Sequence, residues 1–169
     1  LDSNLAESAM FGHKKGSFTG ATVDKKGYLG EADGKILFLD EIQDLPKGVQ
    51  RKLLRTLQDK KHRYRIVGDD KESTADVELV CASNLTDSEL RKKLDPDFYD
   101  RISFYRVVMP PLRECREDIE TDWNEVWKTV RLDSSQKDAP MDKYLEKYFK
   151  TSKLSGNFRT LQSIAYQFI

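Results

Sequence analysis

The sequence predicts an α/β fold in which a parallel sheet is followed by a smaller, purely helical subdomain. Residues 36–39 form a short apolar run, Ile-Leu-Phe-Leu, of the kind that becomes a strand buried on both faces. Residues 75–82 alternate and end in apolar side chains, which indicates a second strand. After the paired prolines 110–111, the pattern changes to a charged stretch and to apolar residues at helical spacing. The helical subdomain is therefore expected beyond these prolines.

The remaining elements follow from local spacing. After Pro46, four apolar residues recur at helical intervals and predict a helix packed on the sheet: Val49, Leu53, Leu54 and Leu57. The polar residues 59–64 predict a loop or hairpin tip, and 105–109 predict a third strand. In the helical part, one helix carries four large apolar residues: Trp123, Val126, Trp127 and Val130. After a loop at 132–140, a final helix near Asn157 is expected to bury four more: Leu161, Ile164, Ala165 and Phe168.

The composition is that of a soluble intracellular module. The 169 residues include 29 basic and 29 acidic side chains, so the formal net charge is zero, and the mean hydropathy is -0.69. A neutral chain is not steered to nucleic acid by its overall charge. With 38% hydrophobic residues, the chain can form one modest core and a small helical appendage. Two cysteines give neither a disulfide framework nor zinc spacing, and no run is long enough to span a membrane. The cytoplasm is the expected compartment.

A glycine-flanked loop is the most unusual segment of the sequence. Gly16 and Gly20 enclose Phe18 and Thr19, and glycine permits the positive φ angles that sharp reversals need. These residues predict a mobile loop with an exposed aromatic tip, which is typical of a contact site for a partner. The alternative is an ordinary glycine-rich turn whose Phe18 folds back onto the core.

Two adjacent acids, Asp40 and Glu41, follow the apolar strand 36–39. In open α/β sheets, ligands bind beyond the carboxyl ends of the parallel strands. One carboxylate there can hold a hydrated Mg²⁺ while the other polarises an attacking water, which suits nucleotide hydrolysis. The alternative is that the acids simply begin the next loop.

Together, these segments resemble the central AAA+ ATPase domain of bacterial enhancer-binding proteins, the transcriptional activators of sigma-54 RNA polymerase. The loop of that family reads Gly-Ala-Phe-Thr-Gly-Ala, and residues 16–21 differ from it only by Ser17. Further motifs agree in order and spacing over nearly the whole chain: the Walker B strand at 37–42, a helix at 50–55, a second loop at 67–69, sensor I at 81–84, the arginine-finger segment at 98–102, the start of the lid at 110–119 and sensor II at 156–159.

The resemblance implies a three-layer AAA+ fold of the P-loop type. Its parallel sheet would be incomplete here, with the first strands missing, and would be followed by the start of an α-helical lid. The α/β portion is expected at 1–111 and the partial lid at 112–169. The family also implies a homo-oligomeric ring, a hexamer or heptamer, that uses ATP and Mg²⁺ to act on sigma-54 RNA polymerase. The sequence shows no helix-turn-helix pattern, and in this family that element lies beyond the ATPase domain, so the resemblance implies that DNA would be bound only through a separate domain.

The resemblance assigns roles at the end of the two strands. Asp40 would hold Mg²⁺ through water, and Glu41 would orient the hydrolytic water. Asn84, with Ser83 beside it, would sense the γ-phosphate of ATP. For Asn84, the alternative is a polar side chain that only caps its strand.

Two arginines and the loop complete the implied machinery. Arg101 would reach the ATP of the neighbouring subunit, and its alternative is an ion pair with Asp97 or Asp100. Arg159 would contact the phosphates from the lid, and its alternative is an ordinary surface arginine. The loop that would grip sigma-54 consists of six residues: Gly16, Ser17, Phe18, Thr19, Gly20 and Ala21.

A phosphate-binding P-loop is missing from the sequence. The nearest imitation, residues 30–35, is one residue short, lacks the following Ser or Thr, and precedes a strand instead of a helix. The chain is therefore expected to be a fragment without ATPase activity of its own. Two alternatives remain open: a non-catalytic AAA+-like interaction module, and another AAA+ remodelling ATPase. The acidic pair argues against the first, and the loop at 16–21 argues against the second.

Overall fold

The computed structural model describes residues 3–131 and 139–169, which divide into two compact units, Leu1–Arg106 and Val107–Ile169. The predicted α/β fold with a parallel sheet is confirmed, although the sheet is small. The described residues form four strands: β1 Lys35–Leu39, β2 Arg63–Arg65, β3 Glu72–Thr74 and β4 Val77–Cys81. They also form eight helices: α1 Ser3–Phe11, α2 Tyr28–Glu31, α3 Lys47–Gln58, α4 Asp87–Lys93, α5 Pro96–Ile102, α6 Ile119–Val130, α7 Lys143–Thr151 and α8 Phe158–Ala165. Among these helices, none combines the length and the apolar character that crossing a membrane requires.

Strands β1 and β4 pair in parallel, with Leu37 opposite Leu79 and Leu39 opposite Cys81. Helix α3 lies in the connection between them, as expected for parallel strands, whose crossover usually contains a helix. The polar segment after α3 forms a short antiparallel hairpin of β2 and β3. Parallel pairing places the carboxyl ends of β1 and β4 at the same edge, so the residues that follow each strand meet there.

The expectation that residues 36–39 are buried on both faces is wrong. Leu37 is buried, but Ile36 and Phe38 are 61% and 59% exposed, and the neighbouring Val80 is 44% exposed. Successive side chains of a strand point to opposite faces, so one face of β1 packs on the core while the other carries Ile36 and Phe38. No helix within the described residues covers that second face.

The strand predicted at 105–109 is also wrong. This segment has no ladder partner among the described residues, and its side chains are open to solvent, with Tyr105 88% and Val107 82% exposed. The run is rich in aromatic and β-branched residues, but a strand also needs the backbone groups of a neighbour. The boundary between the two compact units falls inside the segment.

The core of the first unit forms around α3, confirming the helix predicted after Pro46. Val49 and Leu53 are fully buried, and they belong to one cluster with Phe11, Leu29 and Phe98. This cluster draws on the first helix, on α3 and on α5, and the buried face of β1 packs against it. Strand β1 thereby packs, through its buried face, on a core that the helices provide.

The second unit is built on Trp123 of α6, which is fully buried. Its ring lies 5.2 Å from that of Phe149, and its Nε1 donates a hydrogen bond to the Pro140 carbonyl at 2.9 Å. The predicted α6 pattern and the burial of Leu161 are confirmed. Phe168, expected to be buried, is 48% exposed because α8 ends at Ala165 and the helical face is not continued. The loop predicted at 132–140 lies mostly outside the described residues.

Candidate functional site

The acidic pair lies at the carboxyl end of β1, where the strand gives way to a short 3-10 turn at Ile42–Asp44. The backbone N–H of Glu41 donates to Asp40 Oδ1 at 2.9 Å. Glu41 adopts the left-handed conformation, with φ 50° and ψ 49°. For a residue other than glycine this costs on the order of 1 kcal/mol, and such strain is concentrated at functional sites. Both carboxylates are exposed at this edge.

The end of β4 brings Asn84 to the same edge. Beyond the two strands, the N–H of Ala82 donates to the Leu39 carbonyl at 2.9 Å, and the N–H of Ile42 donates to the Ala82 carbonyl at 3.0 Å. These bonds extend the parallel pairing past the last ladder residues. As a result, Asn84 Nδ2 donates to Glu41 Oε1 at 3.3 Å. The structure thus places a predicted sensor residue next to a predicted catalytic carboxylate.

A third side chain, Gln43, completes the cluster and was not singled out from the sequence. Its Nε2 donates to Glu41 Oε2 at 2.5 Å and to Asn84 Oδ1 at 3.2 Å. Its Oε1 accepts from the Ser83 hydroxyl at 2.6 Å. Gln43 is buried, with 7% of its surface exposed, whereas Glu41 and Asn84 are open to solvent. The available signal was a polar residue between Ile42 and Asp44, two positions after the acidic pair.

The carboxylates fit the chemistry expected for Mg²⁺. Asp40 Oδ1 is occupied by a backbone N–H, and the carboxylate as a whole is exposed to solvent and presents hard oxygen ligands. Within the described residues, no group of three or more His, Cys, Asp or Glu side chains could cage a metal ion. Protein-bound Mg²⁺ commonly keeps several waters and uses one or two carboxylates together with substrate phosphates. Asp40 is suited to that mode of binding.

Cys81, the last residue of β4, does not add a nucleophile to this edge. Burial in apolar surroundings raises the pKa of its thiol to about 11. The thiolate is the reactive form of cysteine, and it is scarce at neutral pH when the pKa is raised. Chemistry at this edge therefore depends on the carboxylates and amides.

The glycine-flanked loop forms a compact turn. The Gly16 N–H donates to the Ala21 carbonyl at 2.8 Å, and Gly16 and Gly20 have φ angles of 82° and 101°. Phe18 is half-buried, with its ring edge-on to His13 at a centroid distance of 5.0 Å. The expectation of a fully exposed aromatic tip is therefore only partly met, because Phe18 leans on the base of the loop. Thr19 and Gly20 are exposed.

An ion pair closes the base of this loop. Lys14 Nζ donates to Asp24 Oδ2 at 2.8 Å, and the Lys15 N–H donates to Asp24 Oδ1 at the same distance. The hydrogen bond from Lys14 holds the pKa of Asp24 below its usual value. Asp24 therefore stays ionised at neutral pH, and it joins the segment that enters the loop to the segment that leaves it.

The second predicted loop, 67–69, lies directly against the first. Lys14 donates its N–H to the Val67 carbonyl at 2.9 Å, and Val67 donates its own to the Gly12 carbonyl at 3.1 Å. Gly68 has a φ of 78°, and a Cβ built on it would lie 2.4 Å from the Cβ of Ser17. The two loops are thus in backbone and side-chain contact, and the contact requires glycine at position 68.

We expect Gly68→Ala to destabilise the fold by about 2–3 kcal/mol, from the left-handed backbone and from the clash with Ser17. Gly34→Ala is the matched control, because Gly34 has a similar φ of 72° but open space where its Cβ would lie. The control is expected to cost only about 1 kcal/mol. Urea unfolding midpoints of the two variants measure the difference. Equal midpoints would show that the contact between the loops does not require glycine at position 68.

Within the first unit, the structure does not bring Arg101 to the carboxylates. Arg101, in α5, donates from its guanidinium to the Leu57 carbonyl at 2.6 Å, and neither of the ion pairs considered for it forms. Asp100 is paired instead with Arg91 at 3.5 Å. Arg159 lies exposed in the first turn of α8, in the second unit. Their roles toward ATP stay predictions.

The parallel α/β fold, with two carboxylates and an asparagine at one edge of the sheet, is that of an AAA+ domain. The chain belongs to the sigma-54 interaction domain family, whose model matches residues 1–108. The family resemblance stated from the sequence is thereby confirmed.

Three similar proteins show how far the likeness extends. The response regulator protein PilR of Pseudomonas aeruginosa is 39% identical over 166 residues, covering 97% of this chain and 37% of PilR. A Nif-specific regulatory protein of Azospirillum lipoferum is 46% identical over 121 residues, 70% of this chain and 19% of that protein. The crystal structure of NtrX from Brucella abortus in complex with ADP superposes with a TM-score of 0.82 at 26% identity, covering 98% of this chain and 36% of NtrX. NtrX was also crystallised with ATP. The chain thus spans little more than a third of PilR and NtrX, and its match covers less than a fifth of the Nif-specific regulatory protein.

Proposed function

We propose that the chain is the hydrolysis and output segment of an ATP-dependent activator of sigma-54 RNA polymerase. The observation that carries this proposal is the contact between Glu41 and Asn84 at the carboxyl ends of β1 and β4. A carboxylate that touches a possible γ-phosphate sensor can respond to the nucleotide that is bound. Membership of the sigma-54 interaction domain family supports the choice of partner.

In this proposal, Glu41 accepts a hydrogen bond from the attacking water and orients it toward the γ-phosphate. Asn84 contacts that phosphate through its side-chain amide, with Ser83 beside it. Asp40 would hold Mg²⁺ through water, and the bound ion would supply positive charge beside the phosphate oxygens. Because catalysis of phosphoryl transfer depends mainly on positioning and electrostatics, the geometry at this edge is the principal contribution of the chain.

Subunits of a ring, a hexamer or heptamer, would together supply the residues that contact each ATP. Arg101 would leave the Leu57 carbonyl and reach the ATP of the neighbouring subunit, and Arg159 would contact the phosphates from the lid. Arginine suits both tasks because its planar guanidinium matches phosphate geometry. The assembly would act in the cytoplasm, and DNA would be held by a separate domain.

The output would be the loop of residues 16–21. A change of nucleotide would shift it between two positions, only one of which engages sigma-54. The contact of Ser17 with Gly68 gives this loop a neighbour that can move with it.

The test is promoter opening by sigma-54 RNA polymerase, in the presence of the full-length protein that contains this chain. We expect opening with ATP and none with ADP. The 169-residue chain alone is expected to hydrolyse no ATP, because its sequence holds no phosphate-binding loop. Opening that is independent of nucleotide would contradict the proposal.

A further inference from the structure

We propose that Gln43 is a positioning residue that holds the carboxylate of Glu41 in one orientation and ties it to the end of β4. This inference rests on the hydrolytic role proposed for Glu41. No contact of Gln43 with substrate is needed, because its side chain is buried behind the two exposed residues that it joins. It acts through Glu41 and Asn84.

The orientation of the Gln43 amide follows from its neighbours. The Ser83 hydroxyl accepts a hydrogen bond from the Leu85 N–H at 3.1 Å, so its own proton is free to be donated. It points to Gln43 Oε1, 2.6 Å away. With the oxygen of the amide fixed in this way, Nε2 has to face Glu41 and Asn84. Ser83 therefore sets the direction in which Gln43 donates.

The carboxylate of Glu41 is held at both oxygens. Gln43 Nε2 contacts Oε2 at 2.5 Å, and Asn84 Nδ2 contacts Oε1 at 3.3 Å. Hydrogen bonds from amides to an ionised group are stronger than those between neutral groups. Two of them from different sides fix the plane of the carboxylate, which a single bond would leave free to rotate.

The two amides differ in what they can do when nucleotide binds. Asn84 is exposed at the edge and can turn its amide toward a phosphate, weakening an already long contact with Glu41. Gln43 is buried and anchored by Ser83, so it stays in place. Gln43 is then the partner that keeps Glu41 oriented while Asn84 changes its contact. Because Gln43 also contacts Asn84 Oδ1, movement of Asn84 changes a hydrogen bond of the same amide that holds the Glu41 carboxylate.

The test replaces Gln43 with Met, which keeps the length and volume of the side chain but removes its hydrogen bonds. In the full-length protein, we expect kcat for ATP hydrolysis to fall about tenfold with KM changed less than about twofold, because orientation is lost while nucleotide binding is kept. Ser83→Ala is expected to lower kcat in the same direction. The double variant should be no worse than Gln43→Met, since both changes disable one network.

Gln50→Met is the matched control. Gln50 is as deeply buried, but it bonds the Leu45 carbonyl and the Asp95 N–H, away from Glu41. It is expected to lower the unfolding midpoint and to leave kcat unchanged at a temperature where the protein is folded. A kcat for Gln43→Met equal to or above that of the unmodified protein would overturn the inference, as would an equal loss in both variants. If the unmodified protein itself hydrolyses no ATP, the proposed function fails instead.

Discussion

Replacing Glu41 with Gln is expected to lower kcat for ATP hydrolysis by the full-length protein about a hundredfold or more, the range for loss of a general base or water-orienting carboxylate. Glutamine keeps the size of the side chain, but it has a single acceptor oxygen for the two amide donors of Gln43 and Asn84, and it cannot accept a proton or attract the water as an anion does. ATP binding should be retained, because Glu41 is proposed to contact the water and not the nucleotide. Turnover of ATP, together with the affinity for a fluorescent ATP analogue, measures both quantities.

Asp44→Asn is the control for this change. Asp44 lies on the same 3-10 turn and is exposed, and its carboxylate faces Lys93 at 3.4 Å instead of Asn84. Removing this charge is expected to leave kcat within about twofold, as for most exposed ion pairs. A Glu41→Gln variant that turns over ATP as fast as Asp44→Asn would remove Glu41 from the mechanism.

The second large effect is expected at Phe18. Phe18→Ala should abolish promoter opening by sigma-54 RNA polymerase while leaving ATP turnover within about twofold, because truncating an aromatic anchor removes binding energy at an interface. Phe18 lies on the loop, and its only ring contact among the described residues is with His13. This contact does not involve the acidic edge, the edge of the sheet that carries Asp40, Glu41 and Asn84. Open-complex formation on a sigma-54 promoter and ATP turnover are measured on the same preparation.

Tyr28→Ala is the control, since Tyr28 is also an aromatic residue that solvent reaches; it is 52% exposed, more than Phe18, and lies in α2. It should leave promoter opening intact. Promoter opening by Phe18→Ala at the level of the control would show that the loop is not the output. Loss of ATP turnover in Phe18→Ala would show that its effect is on folding or assembly.

The acidic edge could be predicted from the sequence because it depends on one apolar strand, β1, and on the rule that parallel strands end at the same edge of a sheet. An apolar strand that ends in Asp40 and Glu41 is visible in the order of residues, and parallel pairing brings the next strand end, with Asn84, to the same place. Gln43 was missed because its importance depends on a side-chain direction. Only the 3-10 turn and the Ser83 hydroxyl turn its amide toward Glu41.

The errors in the fold have a common physical origin. The largely apolar segments 36–39 and 105–109 indicate a preference for extended backbone, but they do not show whether a neighbouring strand is present. Ile36 and Phe38 form a strand with one uncovered face, and 105–109 forms no strand in the described part of the chain. Burial and pairing are tertiary properties, so local pattern cannot determine them.

The position of Phe18 illustrates a similar limit. Glycines on both sides correctly indicated a turn with positive φ angles. Whether the ring points outward or leans on His13 depends on contacts among residues that local composition does not encode.

In the proposed function, the nucleotide bound beside Asp40 and Glu41 controls the position of the loop at 16–21. Hydrogen exchange of the amides of Gly16 and Ala21, which bond to Ala21 and Phe18 at 2.8 and 3.0 Å, reports on the closed turn directly. In the full-length protein, we predict faster exchange of these amides with ADP and aluminium fluoride, which mimics the transferring phosphate, than with ADP alone. Identical exchange in the two states, with both shown to be bound, would contradict the account.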